Sequence, residues 1–124
     1  MGEVRYAVTL SRFESYAVAR AGVARVALGG ELDWDSAPYV HKAVAACLAE
    51  QPKTLCLDLT DVSFCDCAGG NALLEARSAV RAAGAGLVVE GIGAQLARLL
   101  ALIGASDLLP AGRVAEATEP ARRD

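Results

Sequence analysis

A chain of 124 residues, 54% hydrophobic and 22% charged, has the length for one domain and the apolar content for a core, which excludes a disordered protein. Its net charge of −3 gives no basic footprint for nucleic acid, and no apolar run reaches the roughly 18 residues of a membrane span. With no leader-like start, the protein is expected to be cytoplasmic and its four cysteines to be free thiols.

Val4, Tyr6, Val8 and Leu10 alternate with polar or small residues, so residues 1–13 form either an extra edge strand or an N-terminal arm. Residues 16–19 and 23–28 flank Ala21-Gly22 and read as a hairpin. Gly29-Gly30 and Glu31-Leu32-Asp33 end its second strand. Ser36 is placed as an N-cap, with Pro38 in the first turn, where its missing N–H costs nothing. Val40, Val44, Cys47 and Leu48 recur at helical spacing and predict a helix over 37–50, stopped by Gln51-Pro52. Residues 55–59 make a short strand. Strand, helix, strand is a βαβ unit, which implies parallel pairing and a right-handed crossover.

Beyond Cys67, Leu73, Ala76, Val80 and Ala83 stripe a second helix closed by Gly84. Residues 87–90 form the next strand. Leu96, Leu99, Leu100 and Ile103 stripe a third helix ended by Gly104. Leu108-Leu109 is a candidate final strand, and residues 114–118 a weak last helix before a frayed tail over 119–124. The sum is a single α/β domain with its core over about 14–112. Its mixed sheet has four to five strands, an N-terminal hairpin followed by βαβ units, under a layer of three to four helices.

Ser63-Phe64-Cys65-Asp66-Cys67-Ala68-Gly69-Gly70 carries the chain from strand to second helix. Backbone N–H groups point outward at such a helix start and favour negative charge. Loops after the C-terminal ends of parallel strands gather at one sheet edge, so the Asp33 loop and the Asp66-Cys67 turn are expected to be neighbours.

Four motifs in order make the chain resemble the STAS domain family, the anti-sigma factor antagonists. Gly30-Glu31-Leu32-Asp33 followed by Ser36-Ala37 is similar to the family's Gly-x-Leu-Asp and Thr/Ser-Ala. Leu57-Asp58-Leu59 and Val62-Ser63-Phe64 resemble its apolar-Asp-Leu and apolar-Ser/Thr-Phe approach to the turn. Asp66-Cys67-Ala68-Gly69 is similar to its Asp-Ser-Ser/Ala-Gly, and the stretch 91–104 to its later helix ending at glycine. The resemblance spans about 23–109. It implies a STAS-like fold and a non-enzymatic, cofactor-free protein with no catalytic or metal-binding residues. Such a protein binds an anti-sigma factor of the histidine-kinase-like ATPase type and so regulates sigma-factor-dependent transcription by partner switching. The implied contact comprises Asp33, Asp66, Cys67, Ala68, Gly69, Gly70, Asn71, Glu75 and Ser78. No nucleic acid or membrane insertion is implied, and the expected state is a monomer or weak dimer.

Two departures stand out. Cys67 takes the place of the family's phosphorylated Ser, and a thiol is not a Ser/Thr kinase substrate. Gly70 replaces the usual Leu or Ile. Cys67 is then either a passive, near-isosteric filler or a thiol-redox replacement for the phosphate switch. The lost hydroxyl equally suits a STAS subunit of a lipid-transport ATPase complex, a structural use the family also has.

Other constellations read as structural. Cys65-x-Cys67 is too tightly spaced for zinc, while Cys47 falls on a helix core face and Cys56 in a strand. His41, the only histidine, has no evident third group to orient it for catalysis with Cys67. Gly91-x-Gly93 lacks the third glycine of a dinucleotide fingerprint. Asp33, Asp58, Asp61 and Asp66 are better read as solvated loop and cap carboxylates than as Mg²⁺ ligands.

Overall fold

The computed structural model describes residues 3–108 of the chain. Alternation builds its sheet. Strand β2 (Phe13–Arg20) buries Phe13, Ser15, Ala17 and Ala19 and exposes Glu14, Tyr16 and Arg20. Strand β3 (Val23–Leu32) buries Ala24, Val26 and Leu28 in the same manner. Between them Ala21 and Gly22 have φ of 55° and 83°, the two positive values that a tight hairpin turn matched to strand twist requires. Strand β1 (Glu3–Thr9) pairs antiparallel with β2, so the first segment is an edge strand and not an arm.

Strand β4 (Thr54–Cys65) runs parallel to β3, and β5 (Gly86–Glu90) parallel to β4, giving the order β1-β2-β3-β4-β5. β4 extends well past the expected residues 55–59. Its second half pairs with Gly29, Gly30, Glu31 and Leu32 through two register shifts, and this carries the strand up to the functional turn.

Helices α1 (Ala37–Leu48), α2 (Cys67–Ala82) and α3 (Ala94–Leu102) cover the inner face. Val40, Val44 and Cys47 of α1, Leu73, Ala76 and Val80 of α2, and Leu96 and Leu100 of α3 meet Val26, Leu28, Leu55, Leu57 and Leu59 in one core. Gly84 and Gly104 follow α2 and α3 with positive φ, as helix-ending glycines do. Among the described residues, no helix covers the outer face. There Arg25 Nη2 lies 2.7 Å from Asp58 Oδ2 and 3.1 Å from Glu90 Oε1.

Two expectations change. Ser36 precedes α1 but its side chain makes no cap bond; the Oγ donates back to Glu31 O at 2.9 Å and accepts from Asp33 N–H at 2.9 Å. The expected final strand is not formed at Leu108, which sits buried in a 3₁₀ turn (Ser106–Leu108) that ion pairs with Arg77 and Arg81 hold to α2 through Asp107. Leu109, the helix over 114–118 and the tail over 119–124 lie outside the described residues.

Candidate functional site

The β4–α2 turn is built from hydrogen bonds that β3 and α2 supply together. Asp66 N–H donates to Leu32 O at 3.0 Å, which joins the turn to the end of β3. The Asp66 carboxylate Oδ1 accepts from Gly69 N–H at 2.9 Å and caps α2. A Cβ at position 69 would fall 2.4 Å from Leu32 O, so only glycine lets the helix start come this close to the strand. A Cβ at position 70 would meet Ile103 Cδ1 at 2.8 Å. Gly69 and Gly70 are therefore buried and face inward. They shape the site by close packing beneath the expected contact surface.

Cys67 is the exposed cysteine of the four. Cys65, two residues earlier, is fully buried; burial pushes its thiol up to about 12, with the neighbouring Asp66 carboxylate adding to the effect. Its backbone is held from α3, where Gln95 Oε1 accepts from Cys65 N–H at 3.1 Å and Gln95 Nε2 donates to Cys65 O at 2.8 Å. Gln95 carries no local sequence signal for this role, since its partner lies 30 positions away.

Asp33 is half-buried on the neighbouring β3–α1 turn, as the parallel topology requires. Its Oδ1 accepts from Asp35 N–H at 3.0 Å and Ser36 N–H at 3.1 Å, so that oxygen shapes its own turn. Trp34, which no motif of the sequence singles out, stands 79% exposed beside it. It sits between two aspartates outside any periodic segment, and that placement is the signal that could have found it.

Between α1 and α2 an open groove of ≈ 420 Å³ is lined by Trp34, Ala37, Pro38 and His41 on one side and Ala68, Asn71, Ala72 and Glu75 on the other. His41 Nε2 lies 2.8 Å from Glu75 Oε1 and links the two helices. Of the residues singled out from sequence, Ala68, Asn71 and Glu75 thus share this groove. Ser78 is exposed farther along α2 and does not line it.

Asp58 belongs elsewhere, on the outer sheet face with Arg25. Gly91 lies against Thr60, where a Cβ would come within 2.2 Å of the Thr60 hydroxyl, so strand packing accounts for it. Among the described residues, no group of three or more His, Cys, Asp or Glu side chains is arranged to hold a metal, and no helix is long and apolar enough to cross a membrane.

The STAS domain family described as Mlab matches residues 16–110. An anti-sigma-B factor antagonist of Listeria monocytogenes serovar 1/2a is 32% identical over 82 residues, covering 66% of this chain and 72% of that protein. A crystal structure of an anti-sigma factor antagonist from Mycobacterium paratuberculosis aligns with a TM-score of 0.59 at 24% identity, over 88% of this chain and 84% of that one. A sulfate transporter family protein from Wolinella succinogenes aligns with a TM-score of 0.65 at 24% identity, over 77% and 78%. These two structural likenesses are of fold.

Proposed function

Because this chain belongs to the STAS domain family, we propose that it acts as an anti-sigma factor antagonist, docking in the cytoplasm on an anti-sigma factor of the histidine-kinase-like ATPase type and so freeing a sigma factor. One observation carries the reading: Cys67 is exposed on the first turn of α2, directly before Ala68, which lines the groove between α1 and α2. A family member's phosphoserine at this point would put about −1.5 to −2 charges with hydrated oxygens into a contact that must desolvate. The Cys67 side chain carries no such group. Residues 65–70 carry no hydroxyl at all, so the protein docks constitutively and the kinase arm of partner switching is missing. Asp66, Cys67, Ala68, Asn71, Glu75 and Ser78 form the α2 side of the contact, with Asp33 holding the adjacent turn.

The test is calorimetric titration against each purified kinase-type anti-sigma factor of the same genome, with and without ATP. The expected result is a complex that ATP does not dissolve and a chain that gains no phosphate, whereas Cys67→Ser becomes phosphorylated and is released. Failure to bind any of those proteins overturns the reading. Phosphate on Ser63 or Thr60 that abolishes binding overturns the constitutive docking. An affinity lost after mild peroxide in the wild type but kept in Cys67→Ser identifies the thiol as a redox switch. The same missing hydroxyl also favours a second reading, a structural subunit of a transport ATPase, which co-purification with such subunits would select.

A further inference from the structure

Trp34 is the only tryptophan of the chain and stands at the crest of the β3–α1 turn with 79% of its surface in water. An indole left in water forgoes a large burial free energy that a partner can recover. On one side of this crest lies the groove, with the small apolar walls Ala37, Pro38, Ala68 and Ala72. On the other lies a second hollow of ≈ 290 Å³, lined by Glu31, Asp33, Asp35 and Arg12 among the described residues. Arg12 approaches Glu31 only to 3.9 Å. Among the described residues, no basic side chain comes within ion-pair distance of Asp33, Asp35 or Asp66.

We propose that Trp34 anchors the docking surface and that the element it receives is a basic, amphipathic segment of the anti-sigma partner. An apolar side chain of that segment fills the groove against the indole. An arginine or lysine next to it crosses the turn into the acidic hollow. Exposed aromatic anchors beside a pocket are the usual carriers of binding energy, and the two acids without a basic partner, Asp33 and Asp35, select against an acidic competitor. The guanidinium of an incoming arginine also gains from lying against an indole face. This inference rests on the docking function proposed above and names the chemistry of its partner surface.

Two synthetic amphipathic helical peptides of equal length test it, one pairing leucine with arginine and its twin pairing leucine with glutamate. Titration is followed by Trp34 emission and by calorimetry. The arginine peptide is expected to bind and shift the emission to the blue, while the glutamate twin does not bind. Trp34→Ala weakens the arginine peptide at least about tenfold, and Asp35→Lys weakens it several-fold and flattens its salt dependence. Both side chains are exposed, so an unchanged melting curve certifies each variant as folded. Equal binding of the two peptides, no binding up to millimolar concentration, or an unaffected Trp34→Ala variant overturns the inference. The same variants are then titrated with the kinase-type anti-sigma factors. Intact anti-sigma binding by Trp34→Ala removes the anchor but leaves the antagonist reading standing. Peptide discrimination with no anti-sigma binding removes that reading and keeps the surface chemistry.

Discussion

Gln95 of α3 grips both backbone groups of Cys65, donating to its carbonyl at 2.8 Å and accepting from its N–H at 3.1 Å. Cys65 is the last residue of β4 and immediately precedes the Asp66 cap, so α3 fixes the functional turn without lining it. Gln95→Ala leaves a buried donor and a buried acceptor without their partner. The expected cost is about 2 kcal/mol, read as a lower urea midpoint at unchanged slope. An unshifted midpoint means that water replaces the amide and the clamp contributes nothing.

The four thiols are expected to divide by burial. Burial raises the thiols of Cys47, Cys56 and Cys65, the last to about 12, while Cys67 alone is exposed. Iodoacetamide at about pH 8, near the ordinary thiol range, is expected to add one adduct to the native protein and four in urea, counted by mass spectrometry. Native Cys67→Ser takes none. Rapid modification of Cys65 in that variant would show the turn to be open.

The division between what the chain discloses and what it hides follows the range of the interactions. Ala21-Gly22 announces its turn, and Val40, Val44 and Cys47 announce a helix face, because each signal lies within a few residues. β1 is ambiguous in sequence because Val4, Tyr6 and Val8 are only half-buried, and its pairing depends on the free edge of β2. The second half of β4 is hidden for a different reason: Thr60, Asp61, Ser63 and Phe64 are exposed and break the alternation, while backbone pairing to β3 keeps the strand going. Ser36 has the right type for a cap, yet its hydroxyl turns back to Glu31 because Asp33 already supplies an acceptor to the turn's N–H groups. At the site, Asp66 marks the start of α2 from sequence alone. The inward packing of Gly69 against Leu32 and the reach of Gln95 exist only once β3, α2 and α3 are assembled.

The two adjacent glycines at the start of α2 are predicted to respond differently to the same change. In Gly69→Ala the new methyl meets a backbone oxygen, Leu32 O at 2.4 Å, together with Leu32 Cβ at 2.8 Å, so strand and helix must separate. A loss of about 1–3 kcal/mol is expected, along with weaker partner binding through a displaced turn. In Gly70→Ala the nearest atom is the movable end of Ile103 at 2.8 Å, and the helix gains up to about 1 kcal/mol of propensity. The net change is expected to stay within about 1 kcal/mol, because the flexible end of Ile103 can shift aside while the helix gains propensity. Thermal melts of the two variants side by side decide it; equal losses would mean that the Leu32 contact is not the cause.

Asp58 gives the stability a predictable dependence on pH. Its carboxyl is held below the ordinary carboxylate range, chiefly by the Thr60 hydroxyl, which donates to Oδ1 at 2.6 Å, then by the Thr60 N–H at 3.0 Å and the Arg25 guanidinium. A carboxyl with a lowered folded pKa stabilises fully above its unfolded value, about 3.9, and the benefit disappears as pH falls through the folded value. Asp58→Asn is therefore expected to be less stable than the wild type at neutral pH, with the two converging below about pH 4. The Asp58 side chain is 20% and that of Arg25 46% exposed, so solvent screening keeps the gap below about 1 kcal/mol. Urea unfolding from pH 3 to 7 measures it. A gap that persists unchanged at the acid end would assign the loss to lost hydrogen-bond geometry and not to the charge.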